Sequence, residues 1–459
     1  MVWVSPKTTI DDLGIDLLQN IVSRLPALSF ASVGCVSRSW NNACSSVLCR
    51  PKLSSACSFE STLQVAVQDV VNKVLSEPIR PHFAIASIGP RFKLQETLQL
   101  IAAKLSTKVP LVIDYSLGIV VKNVVSNASK ETWYPDALLT SSSGIMLTVG
   151  FVPGLKVKPI SLLRQIKDPR TLMIDQFVTD IWEFSTSVSG HQSPAAIMIS
   201  GVPQADMDAV MKKMDYAMAP ETVILGGCNL DAADEESVVA VALVFVEDSK
   251  KPPGIGETKF HALLSSVLSP VGPSYKVDCV IEYRGDHDYL HGKVLTGHIE
   301  GEGPFETIDK QECTWIGITK RRMRSIRQED AKWTTSLSFH NVVYHYRESG
   351  NCAIGANVDV ERGDTYRYYN EDPNTSQSTV DYVSNFMRSL KQRSTNSSDK
   401  WDGSSGLIFT CFSRGVSFLS KPNDADNSTF LELQEHNSTR ACMNGCSGIY
   451  LIVSYTQKT

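Results

Sequence analysis

The apolar positions of the first fifty residues recur at helical spacing. Leu17, Leu18, Ile21 and Leu25 follow the i, i+1, i+4, i+8 pattern of one helix face. Asp11 and Asp12 stand just ahead, where negative charge suits a helix N-terminus. Pro26 has no N–H and its ring clashes with the preceding turn, so it predicts the end of that helix. A second short apolar set follows in Leu28, Phe30, Val33 and Val36, and Ser37 is a fitting cap for a third helix opened by Arg38-Ser39-Trp40-Asn41. A unit of roughly 40 residues buries too little surface to be stable by itself. Its leucine face is therefore expected to meet another protein, or else to fold as a cap onto the domain that follows.

Beyond Arg50 the period alternates. Leu63 to Leu75 has helical spacing, and Pro78 and Pro81 mark a boundary after it. Phe83 to Ile88 is a short apolar strand ending at Gly89-Pro90. Leu94 to Leu105 is a helix with Leu94, Leu98, Ile101, Ala102 and Leu105 on one face, and Leu111 to Ile113 a second buried strand. Further strands are predicted at 145–151, 155–160, 195–200, 223–225 and 238–246, with helices near 172–184 and 205–218. Runs such as Ala196-Ile197-Met198-Ile199, apolar at every position, fit strands buried on both sides. Strands alternating with helices predict an α/β sheet. The glycines that close such strands, at Gly89, Gly201 and Gly226-Gly227, read in two ways. They are turn formers, or they let backbone approach closely at the edge where α/β sheets hold ligands.

Lys250-Lys251-Pro252-Pro253-Gly254-Ile255-Gly256 is the clearest mid-chain punctuation, and a boundary is placed there. The part beyond it is richer in strands, at 276–283, 315–319, 336–346 and 406–412, with one helix over 380–390 and a polar loop over 393–406. No leucine-rich or other solenoid period is present.

The segment from Leu13 to Trp40 resembles an F-box. Leu13, Leu17, Leu18, Ile21, Leu25, Pro26, Leu28 and Trp40 carry the resemblance, with Gly14 where the family places proline after its first leucine. The resemblance implies a three-helix module whose leucines and proline dock on the Skp1-type adaptor of SCF cullin–RING ubiquitin ligases. Those eight residues are the candidate adaptor-binding set, some as contacts and some as core, and Trp40 is expected to be structural.

The body resembles a second module. ILGGCNL, the later ESVVAVALVFVED, GETKFHALLSSVLSPVGPSYKVD and GLIFTCFSRG look like the two halves of a FIST domain. That family accompanies signal-transduction domains and is associated with sensing small ligands such as amino acids. By this resemblance Gly226, Gly227, Arg414 and Gly415 are candidate ligand-binding residues. After Ser413-Arg414-Gly415 the sequence departs from the family, which continues into a Gly-Glu-Ile-Gly signature. Here LELQEHNSTRACMNGCSGIYLIVSYTQKT follows, with only Gly445 and Gly448 in keeping, although 449–455 still reads as a final strand.

Composition narrows the function class. The chain has 459 residues, too many for one core, and a net charge of −5, which argues against general nucleic-acid binding. The most apolar run, Val238 to Val246, is far short of the roughly 20 residues of a membrane span, and Asp11 and Asp12 interrupt any signal-peptide core. The 11 cysteines are odd in number and scattered, which fits a reducing cytoplasm or nucleus. Cys442 and Cys446 are half of a metal site at best, since closed zinc sites need four ligands. His287 and His291 stand at i, i+4 and suit a metal if helical, but the surrounding glycines favour turns. Lys320-Arg321-Arg322-Met323-Arg324 is an import or acidic-partner patch, or a solvated strand edge or loop. No nucleophile elbow, Walker loop or dinucleotide fingerprint occurs.

The expected architecture is α+β, a small three-helix F-box followed by a large α/β FIST-like body with mixed sheets. The divisions are an F-box over 1–50, a linker helix over 51–80, a first FIST-like half over 81–253 and a second over 254–459. The expected function is that of a non-catalytic substrate receptor of an SCF ubiquitin ligase, without cofactor or metal. It binds Skp1 and, through it, cullin and RING subunits, and recruits a protein substrate. The alternative is a small-ligand sensor whose F-box controls only its own turnover.

Overall fold

The computed structural model describes residues 14–115, 118–122, 129–133, 144–165, 168–201, 207–219, 221–228, 238–266, 268–284, 291–300, 315–324, 332–345, 352–355, 358, 360–372, 386, 400–410, 440–442 and 447–457. The fold is mixed, with an N-terminal helical unit ahead of a sheet-rich body, as expected from the sequence. Three short helices come first, α1 (Ile15–Val22), α2 (Ala27–Val33) and α3 (Arg38–Val47). The first helix ends at Val22 rather than at Pro26. Two tight turns, Arg24 N–H to Ile21 O and Leu25 N–H to Val22 O, intervene, and Pro26 is the N-cap of α2. Ser37 caps α3, its Oγ accepting from the Trp40 N–H at 3.4 Å.

The chain then runs through β1 (Lys52–Ser58), α4 (Leu63–Val74), β2 (Phe83–Ile88), α5 (Leu94–Leu105), β3 (Leu111–Tyr115), a separate antiparallel pair β4 (Gly118–Lys122) and β5 (Ser129–Trp133), and β6 (Ile145–Phe151). The sheet has the order β1-β6-β2-β3, with β2 and β3 parallel and β6 antiparallel to both of its neighbours. Next come β7 (Leu155–Gln165), β8 (Asp168–Leu172), α6 (Ile174–Ser189), β9 (Ala196–Gly201), α7 (Met207–Ala217), β10 (Val223–Cys228) and β11 (Val238–Glu247). Their order is β7-β11-β9-β10, with β9 and β10 parallel and β11 antiparallel to both of its neighbours.

These two stretches are the same unit twice. Each is strand, helix, strand, helix, strand and returning strand, and each inserts the last strand between the first and second. The helices of each unit cover one face of its own sheet. Ala84, Ala86 and Ile88 of β2 pack toward α4 and α5, while Ile197 and Ile199 of β9 pack toward α6 and α7. The alternate residues point the other way, as the period of two requires. Phe83, Val112, Ala196, Met198, Leu225, Leu243 and Phe245 form one core that joins the two sheets face to face. Phe83 and Phe245 meet edge to face at 5.1 Å between centroids.

The remaining strands are β12 (Glu257–Ser266), β13 (Leu268–Arg284), β14 (His291–Ile299), β15 (Trp315–Arg324), β16 (Lys332–His345), β17 (Cys352–Gly355), β18 (Thr365–Glu371), β19 (Lys400–Thr410), β20 (Arg440–Cys442) and β21 (Ser447–Gln457). β12, β21 and β19 form an antiparallel sheet whose Phe260, Ala262, Leu451 and Val453 extend the core between the two units. β20 pairs with β10 at one edge of the second unit's sheet, and β8 with β7 at the other. The strands β13-β14-β17-β16-β15-β18 close into a barrel. Its interior is filled by side chains, with Tyr275 stacked on Tyr366 at 5.1 Å among Leu295, Ile316, Ile318 and Ile354.

Several local expectations change. Gly226 and Gly227 lie inside β10, paired with Ile199 and Ser200, and close no strand. The polar segment expected as a loop over 393–406 enters β19 at Lys400. Residues 320–324 belong to β15, where they pair with β16 alone, the pairing with β18 ending at Thr319. The helix expected over 380–390 lies outside the described residues, Phe386 excepted.

Gly150 pairs with Phe83, and a Cβ added there would stand 2.2 Å from its ring. Gly150→Ala is therefore expected to drive Phe83 out of the core between the sheets and to destabilise by about 1–3 kcal/mol. A lowered urea midpoint with an unchanged m-value checks this, and Phe83→Leu should recover part of the loss in the double variant.

Candidate functional site

Helix α1 carries two apolar stripes rather than one. Leu18 and Val22 point inward with Phe30, Trp40, Ala43 and Cys44 to form the core of the three-helix unit, and Leu18 is only 2% exposed. Leu17 and Ile21, again four apart, point outward with Ile15, and Leu17 is 58% exposed. The single face read from the sequence thus merged two neighbouring stripes. Leu25 is half-buried against the core and Pro26 is exposed. Leu28 at the start of α2 is 78% exposed, and Val36 in the turn before α3 is also exposed. Trp40 is buried, as expected of a structural residue. Leu13, Asp11 and Asp12 lie outside the described residues.

The exposed apolar side chains are presented by a unit bound to the body. The Ala27 N–H donates to Leu75 O at 2.9 Å, which joins the start of α2 to the end of α4. Ala27 is buried in the core of the first unit, and Leu48 touches both that core and the core of the three helices. Covering an exposed Leu, Ile or Val with a partner contributes up to about 1.5–3 kcal/mol each. Ile15, Leu17, Ile21, Leu28 and Val36 are therefore the candidate protein-docking residues of this unit.

The other candidates from the sequence do not converge. Arg414, Gly415, His287 and Cys446 lie outside the described residues. His291 lies in β14, a strand, which rules out a helical pair with His287. No group of three or more metal-ligating side chains occurs among the described residues. Lys320 is buried in the barrel, 3.5 Å from the Asp364 carboxylate. Burial and the charge of Lys320 push the nearby His340 down to about 4.

One polar group was missed. Asp114, in β3, is 8% exposed, and its Oδ1 is buried without a hydrogen-bond partner among the described residues. Burial pushes its carboxyl up to about 6, partly offset by a hydrogen bond with the Ser87 hydroxyl on the paired residue of β2. The signal was available, since an acid inside the run Leu111-Val112-Ile113-Asp114-Tyr115 is out of place in a buried strand.

Residues 10–52 match the F-box domain family. Over 504 aligned positions the chain is 31% identical to the F-box/LRR-repeat protein At5g63520 of Arabidopsis thaliana, covering 96% of this chain and 93% of that protein.

Two outcomes are expected from these geometries. Leu18→Ala and Trp40→Ala should destabilise the helical unit by about 2–5 and 3–5 kcal/mol, whereas Leu17→Ala should leave the unfolding midpoint nearly unchanged. Amide hydrogen exchange over α1–α3 separates the two classes. For Asp114 the folded carboxyl holds its proton more tightly than the unfolded one. This group's contribution is thus most favourable below pH 3.8 and is lost as pH rises through about 6. Asp114→Asn should remove a slope worth on the order of 3 kcal/mol across that window, read from urea titrations of both proteins.

Proposed function

Because the chain belongs to the F-box protein family, we propose that it is the substrate receptor of an SCF-type ubiquitin ligase and itself catalyses nothing. The observation that carries this is the outward apolar stripe of Leu17 and Ile21, extended by Leu28, on a module whose own core is already complete without it. A Skp1-type adaptor is the partner that fits, and through it the cullin and RING subunits, which supply the chemistry. The body, whose sequence resembles a FIST domain, is the part that recruits the protein to be ubiquitinated. A cytoplasmic or nuclear home belongs to the same reading, supported by the odd and scattered set of 11 cysteines.

A second reading, a ligand sensor whose F-box serves its own turnover, is favoured by the buried carboxylate of Asp114. Substrate-dependent ubiquitination separates the two. A receptor passes ubiquitin to a second protein, whereas in the sensor reading only this chain is modified.

The first test is co-purification with the Skp1 adaptor. Leu17→Asp/Ile21→Asp should abolish binding and leave thermal stability close to that of the intact chain. Full binding by that variant, or none by the intact chain, would overturn the adaptor reading. Leu18 is unsuitable as a contact variant, because its loss unfolds the module and removes binding for an unrelated reason.

A further inference from the structure

The two repeated units can be placed in register by their hydrogen bonds. Ser87 pairs with Asp114 across β2 and β3, and Ser200 pairs with Gly227 across β9 and β10. Both pairs stand near the C-terminal edge of the parallel strands, the edge at which α/β sheets hold ligands. Both also point away from the unit's own helices, since Ile85 and Val112, two residues earlier, pack in the core between the sheets.

Row by row, that face changes character. In the first unit the row of Leu53, Gly150 and Phe83 is apolar. The row of Ser55, Thr148, Ile85 and Val112 is mixed, with the two hydroxyls bonded to each other at 2.8 Å. The last row is Cys57, Met146, Ser87 and Asp114. In the second unit, Val157, Phe245, Ala196 and Val223 give way to Ser161, Val241, Ser200 and Gly227. The apolar core thus stops short of the row that holds the acid. Ser87 and Ser200 are partly exposed there. The serine is present in both units. The acid is present in one, and glycine takes its place in the other.

We propose that the Ser87–Asp114 edge binds a small organic cation, a protonated amine or amidine that donates to the unpartnered Oδ1 of Asp114. A buried carboxylate oxygen without a donor is costly to keep. A ligand N–H supplies both the missing hydrogen bond and the opposing charge. A bare metal ion fits less well, because one carboxylate and one hydroxyl are too few ligands for a hard cation. This inference goes beyond the adaptor reading, and its test does not involve Skp1.

Putrescine and benzamidine are the probes, titrated into the full-length chain at constant ionic strength with tetramethylammonium as the control. Thermal stabilisation by either probe is expected, absent with the control. It should be lost in Asp114→Asn and weakened in Ser87→Ala, with affinity reduced about ten- to a hundredfold in the former. Without probe, Asp114→Asn should be as stable as the parent or more so near neutral pH, because it removes an uncompensated charge. Equal stabilisation of parent and Asp114→Asn, an equal effect of the control, or no effect of either probe would overturn the proposal. Should Asp114→Asn fail to fold, Ser87→Ala decides, since full probe binding in that variant places the site elsewhere.

Discussion

The body depends on burying sheets that are apolar on both faces. In each repeated unit the strands carry one apolar set toward their helices and another toward the opposite sheet. A single unit would leave the second set in water. Stacking the two solves this at once, with Phe83 against Phe245 and Phe245 in turn against Phe260 of the third sheet. Gly150 is the price of that arrangement, since the Phe83 ring occupies the space a side chain would need. The helices α4 to α7 are then left on the outside, where one apolar stripe each suffices.

The same economy of faces explains the N-terminal module. Its core takes one side chain per turn from α1, Leu18 and then Val22, and closes around Trp40. Nothing remains inside for Leu17 and Ile21, so they face out, and no element among the described residues covers them. Forty residues cannot afford that exposure alone. The module is held by what its other side touches, with Ala27 and Leu48 packed into the core that α4 shares with the first sheet. The exposed apolar residues of α1 and the residues that hold the module to the body are therefore different ones.

Much of this was legible in the sequence, and the failures have physical causes. The elements α4 and α5 and the strands β2, β3, β6 and β9 were readable because their apolar period is unbroken. The two stripes of α1 were merged because i and i+1 positions on a helix are only about 100° apart. A run of consecutive leucines therefore does not say which one faces the core. Gly226 and Gly227 read as a turn because glycine lacks a side chain to declare a strand, yet both are paired on the β9 side. The duplication was invisible because it is conserved in connectivity rather than in residues. FAIASI and AIMISG share apolar character and one serine, which is too little to find by eye. The barrel depends on pairings such as β13 with β18, about a hundred residues apart, which no local pattern encodes.

The joint between module and body has a consequence for geometry. A single hydrogen bond such as Ala27 to Leu75 contributes only about 0.5–1.5 kcal/mol. It is backed by buried Ala27 and partly buried Leu48, packed on a core that includes six residues of α4, namely Leu63, Ala66, Val67, Val70, Val71 and Val74. To swing the three helices away, the chain would have to expose Ala27 and open the end of α4, which is itself clamped on the first sheet. The outward stripe of α1 therefore stands in a fixed relation to β2 and β3.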